Sequence, residues 1–114
     1  MGLQDAAFIQ AFISKQYSAY QCSKAHGFHE EPKNFGEVIA LMHSELSEAL
    51  EAYRHGNPAS DHISNFTGVE EEFADVIIRI MDTAHHFNFK VAEAVIAKMM
   101  FNECRPYRHG GKKF

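Results

Sequence analysis

The chain has 114 residues, 46% of them hydrophobic, a formal net charge of −4 and a sequence pI near 6.0. The composition excludes a disordered polar tract, and the length predicts one domain, residues 1–114, with a modest core. The acidic balance argues against general nucleic-acid binding, and no apolar run is long enough to span a bilayer.

The charge is unevenly spread. Acids concentrate at residues 45–51 and 70–75, whereas Arg105, Arg108, Lys112 and Lys113 make a basic tail over about 106–114 and just before it. Cys22 and Cys104 lack metal-type spacing, so reduced thiols in a cytoplasmic protein are expected. Asp5 with no basic leader argues against a signal peptide.

In chain order, residues 4–24 carry Phe8, Ile9, Phe12, Ile13, Tyr17 and Tyr20 on one face, which predicts a core-facing helix. Gly27 ends it, and Phe28-His29-Glu30-Glu31-Pro32-Lys33-Asn34 forms a loop around a strong breaker. Asn34 suits the cap of the next helix. Phe28, His29 and Phe35 are candidates for a ligand pocket, set against ordinary loop packing.

Residues 38–54 form the organising helix. Val38, Met42, Leu46, Ala49, Leu50 and Tyr53 recur at mostly three- and four-residue steps, and Gly56 stops it. Glu45-x-x-Glu48 lies beside that stripe instead of opposite it. At roughly 100° per residue Glu45 falls near Val38, Leu41 and Ala49, with Glu48 about 60° further round. Residues 56–68 are rich in turn formers and long for a helical connection. Thr67 then caps a third helix, about 69–87, with acids in its first turn.

That third helix repeats the pattern. Val69, Phe73, Val76, Ile77, Ile80 and Ala84 form its stripe, and Glu72-x-x-Asp75 runs along the edge at the same offset. A single such pair is usually a solvated face, and Glu70 and Glu71 are explained by the helix dipole alone. Two pairs at matching offsets, on helices packed antiparallel, bring four carboxylates to one point. They would repel without a cation between them, and oxygen-only ligation selects a hard ion, Mg²⁺ or Mn²⁺.

A fourth helix, about 91–104, is expected to turn Val91, Ala94 or Val95, and Met99 inward. Lys98, Asn102 and Arg105 share another face, either as snorkelling surface groups or as a grip on a polyanion.

Glu45-x-x-Glu48, then Glu72-x-x-Asp75 after an interval of 23 residues, resembles the motif of the MazG-like all-α nucleoside triphosphate pyrophosphohydrolases. The flanks Ala40-Leu41-Met42-His43-Ser44-Glu45 and Phe73-Ala74-Asp75-Val76-Ile77 are similar too, as is the Lys98…Asn102…Arg105 spacing. The likeness covers about residues 36–109. Where many members carry a second Glu before the first pair, this chain has Ser44, and it has no Trp to stack on a base. The resemblance implies a four-helix MazG-like bundle completed by oligomerisation as a homodimer or homotetramer. It also implies Mg²⁺ (or Mn²⁺) held by Glu45, Glu48, Glu72 and Asp75 as the catalytic set. The substrate would be a nucleoside triphosphate cleaved to monophosphate and pyrophosphate, with Lys98, Asn102 and Arg105 on its phosphates and Phe28, His29 and Phe35 near its base.

Two other classes fit parts of the pattern. A carboxylate-bridged redox bundle would use Asp82-x-x-His85 with the same acids but lacks the second Glu-x-x-His such sites need. A non-enzymatic helical module would bind a partner through its apolar faces.

Overall fold

Caps and breakers in the sequence become the element boundaries. A computed structural model describes residues 1–107, so Arg108, Lys112 and Lys113 of the basic tail lie outside the described residues. The elements are α1 (Leu3–Ala25), α2 (Phe35–Arg54), α3 (Gly68–Phe87) and α4 (Val91–Glu103), with no strand among the described residues. The all-α expectation holds.

The Asn34 side chain accepts the Glu37 N–H at 3.1 Å, as an N-cap should. Thr67 and Glu70 form a reciprocal capping box. The Thr67 hydroxyl accepts from the Glu70 N–H at 3.2 Å, and the Glu70 carboxylate accepts from the Thr67 N–H at 2.8 Å. Gly27 and Gly56 both take φ near +86°, the left-handed turn that a helix exit needs and a side chain resists.

Helix α3 is the hub. It packs against α2 on one side and α1 on another, while α4 leans on α1. Small residues sit where helices meet: Ala49, Ala84 and Ala92 are buried, with Ile9 the only larger apolar residue in that class among those described. At the start of α3, a Cβ on Gly68 would come 3.1 Å from the Ala52 side chain, so the absent side chain keeps the two helices close there.

The expected stripes are only half covered. On α2, Val38 and Met42 are half-buried, but Leu46, Leu50 and Tyr53 are exposed. On α3, Phe73 and Ile77 are exposed, and on α1 so are Phe8, Ile13 and Tyr17. The inward set of α4 needs correction. Ala92 is its buried residue, flanked by half-buried Val91, Val95 and Ile96, while Ala94 and Met99 face solvent. The reason is that α4 has essentially one neighbour, α1, and so a narrower buried stripe than a bundle helix.

The long 56–68 connection is a built loop. The Gly68 N–H donates to the Pro58 carbonyl and the Ser60 N–H to the Phe66 carbonyl, both at 2.8 Å, and the Val69 N–H donates to Asn57 Oδ1 at 3.0 Å. Ser60 is buried, donates to Glu71 Oε1 at 2.6 Å, and accepts the N–H groups of His62 and Ile63 at 3.1 Å each. The second Glu71 oxygen meets His62 Nδ1 at 2.7 Å. This serine, histidine and glutamate do not form a nucleophilic relay, because the hydroxyl is committed to the carboxylate and not to the imidazole. They staple the loop to α3, one residue before Glu72.

Candidate metal centre

Packing α2 on α3 through the edges of their stripes brings the two acidic motifs face to face. One carboxylate oxygen each from Glu45, Glu72 and Asp75 lies within 4.8 Å of the others, and all three residues are half-buried. Glu72 Oε2 is buried without a hydrogen-bond partner. An orphaned buried carboxylate oxygen costs free energy unless something positive satisfies it. Three convergent carboxylates with an open acceptor therefore fit a hard divalent cation. Glu48, the fourth expected ligand, is exposed and stands at the rim, near enough to act on the charge of Glu45, Glu72 and Asp75.

The electrostatics follow from that crowding. Burial, reinforced by Glu45 and Glu48, pushes the Glu72 carboxyl up to about 8, so it keeps its proton at neutral pH. Glu45 is held below its usual range, first by the hydrogen bond from Glu72 and then by Arg79. Asp75 is raised, mainly by burial and next by the charge of Glu45. The group resembles two carboxyls sharing a proton, with a third beside them.

Arg79 was not among the residues singled out from the sequence. It reaches from α3 to α2 and places Nε and Nη2 on the same oxygen, Glu45 Oε1, at 3.1 and 2.9 Å. The signal was present in the spacing: positions 72, 75 and 79 follow one another along a single helix face. Beside the acids lies a small pocket of about 40 Å³, lined by Arg79, Lys33, His29, Asp82, Thr83, His86 and the apolar Val38, Leu41 and Phe87. His29 is among the lining residues, and a 2.7 Å bond between its Nε2 and Asp82 Oδ1 joins the 28–34 loop to α3. Phe28 and Phe35 do not line it. Phe28 is exposed, and Phe35 packs edge-on against Phe87 and Phe89.

His85 stacks on Tyr17 and packs on Tyr20, and Asp82 is engaged by His29, so the Asp82-x-x-His85 pair does not feed the acidic cluster. Lys98, Asn102 and Arg105 are exposed, on and just after a helix that packs against α1. Lys98 lies over the Phe101 ring at 4.4 Å. Within one chain they form no part of the carboxylate group. No helix among the described residues is long and apolar enough to cross a membrane.

No family model, no curated protein and no solved structure matches the chain.

Proposed function

We propose that this chain is a Mg²⁺-dependent nucleoside triphosphate pyrophosphohydrolase of the MazG-like type. The observation that carries the reading is the convergence of Glu45, Glu72 and Asp75 from two helices, with the Glu72 oxygen left open. The paired motif the chain shares with that family supports it. Glu45, Glu72 and Asp75 would hold the cation, which supplies a water of lowered pKa and stabilises charge on the phosphate oxygens. Glu48, which is solvent-exposed, would take the proton from the water that attacks the α-phosphorus, and monophosphate and pyrophosphate would be the products. The neighbouring pocket has apolar walls, a histidine–aspartate pair and two cations, but at about 40 Å³ it is too small within one chain to take a nucleoside, whose site would have to be completed elsewhere. Removing unwanted nucleotides is the role such an activity serves. The test is a panel of canonical and modified NTPs and dNTPs assayed for pyrophosphate release. At least one should be hydrolysed with Mg²⁺ and none with excess chelator; a panel inert with both Mg²⁺ and Mn²⁺ sinks the reading.

The same reading includes self-association, as a homodimer or, slightly favoured, a homotetramer. The chain exposes 8884 Å². A folded monomer of its mass exposes about 6,300 Å², so the excess is about 2,600 Å². That is the scale of a permanent interface. No large side chain among those described is fully buried, and Leu46, Leu50, Phe73 and Ile77 lie open on α2 and α3. A phosphate role for Lys98, Asn102 and Arg105 would be played across such an interface between copies. Sedimentation at micromolar concentration should show a dimer or tetramer; a stable monomer would exclude the assembly.

A further inference from the structure

Arg79 stands at the junction of two things a triphosphate hydrolase must manage, the metal ligands and the substrate's charge. Its guanidinium puts two N–H groups on Glu45 Oε1, and it also lines the adjoining pocket. Among the described residues it is the one cation bonded to the acidic cluster. The cations of α4 are elsewhere, because that helix packs on α1. Its side chain is 39% exposed, so it is held by this one partner and not locked in a core. Glu45 thus serves two positive charges, Arg79 and any cation among the three carboxylates. A cation drawing on Glu45 weakens the hold on Arg79, and a phosphate arriving with that cation offers a planar, bidentate fork a better partner.

We infer that Arg79 is exchanged between partners: it neutralises Glu45 before the site is loaded, and passes to a phosphate of the metal-bound triphosphate when it is. Arg79 is then a substrate-binding residue that competes with the metal, a combination a purely structural arginine would not show. This rests on the metal-centre reading above, and the experiment separates the two.

Calorimetric titration of wild type, Arg79→Gln and Arg79→Lys with Mn²⁺ alone measures the first half. Titration with inorganic tripolyphosphate at saturating Mg²⁺ measures the second without assuming a base. Arg79→Gln should bind Mn²⁺ several-fold more tightly, since the competitor is gone, yet bind tripolyphosphate about tenfold to a hundredfold more weakly. Arg79→Lys keeps a charge without the fork, so its metal affinity should stay near wild type while tripolyphosphate binding still falls. It also covers the case in which Arg79→Gln fails to fold. Metal binding that is unchanged or weaker in Arg79→Gln, or tripolyphosphate binding that survives both substitutions, overturns the exchange alone. A wild-type chain that binds no divalent ion overturns the metal centre and the exchange with it.

Discussion

Asp75→Asn should reduce pyrophosphate release by at least about a hundredfold, since even outer partners of a bound metal are worth tenfold to a hundredfold. It should do so without unfolding the chain. Asp75 sits beside carboxylates whose charge, that of Glu45 foremost, raises its pKa, so replacing it with a neutral isostere removes repulsion and breaks no ion pair found among the described residues. The melting temperature without divalent ions should therefore hold or rise, and the increment gained on adding Mg²⁺ should shrink. Glu48→Gln should split from it. Glu48 lies outside the trio of close oxygens, so turnover should fall comparably while more of the Mg²⁺ increment survives. Thermal melts with and without Mg²⁺, beside turnover, decide the matter. Wild-type-like turnover in Asp75→Asn would remove the metal-centre reading, because an ordinary structural acid behaves that way.

What the sequence makes legible here is local. Asn34, Thr67, Gly27 and Gly56 terminate or start helices by chemistry confined to a few residues, and each does so in the structure. The facing of the two acidic motifs is also readable, because a shared offset from two apolar stripes is a property of helical period alone. Legibility fails where the answer depends on which helix is whose neighbour. Periodicity marks Leu46, Leu50, Phe73 and Ile77 as apolar but cannot say that one chain leaves them open. Nor can it say that α4 packs on α1 and carries Lys98 away from the acids. Arg79 escaped for a different reason: a lone cation on an acidic face reads as a solvated side chain until its partner on another helix is known.

The last expected result concerns the proton on Glu72. With the carboxyl pushed up to about 8 in the folded chain and near 4.5 in the unfolded one, the native state holds a proton the unfolded state has lost across that window. Stability without divalent ions must then fall as pH rises from about 4.5 towards about 8, the sense set by the larger proton count of the native state. Asp75, raised by the same burial, adds to the fall. Glu45, held low by its hydrogen bond from Glu72 and by Arg79, opposes it only at more acid pH. A cation drawn to the three oxygens must displace the Glu72 proton, because the neutral acid is a poor ligand. Below pH 8 metal affinity should rise towards tenfold per pH unit and then level off, with about one proton released on binding. Titrations of Mn²⁺ at pH 7, in buffers of different ionisation enthalpy, count that proton directly. Glu72→Gln should abolish the release and flatten the pH dependence of the melting temperature, whereas Glu70→Gln, a change at the exposed capping box, should alter neither. Metal binding in wild type that liberates no proton at pH 7 would mean that Glu72 is already ionised. The open oxygen would then have some partner other than the metal.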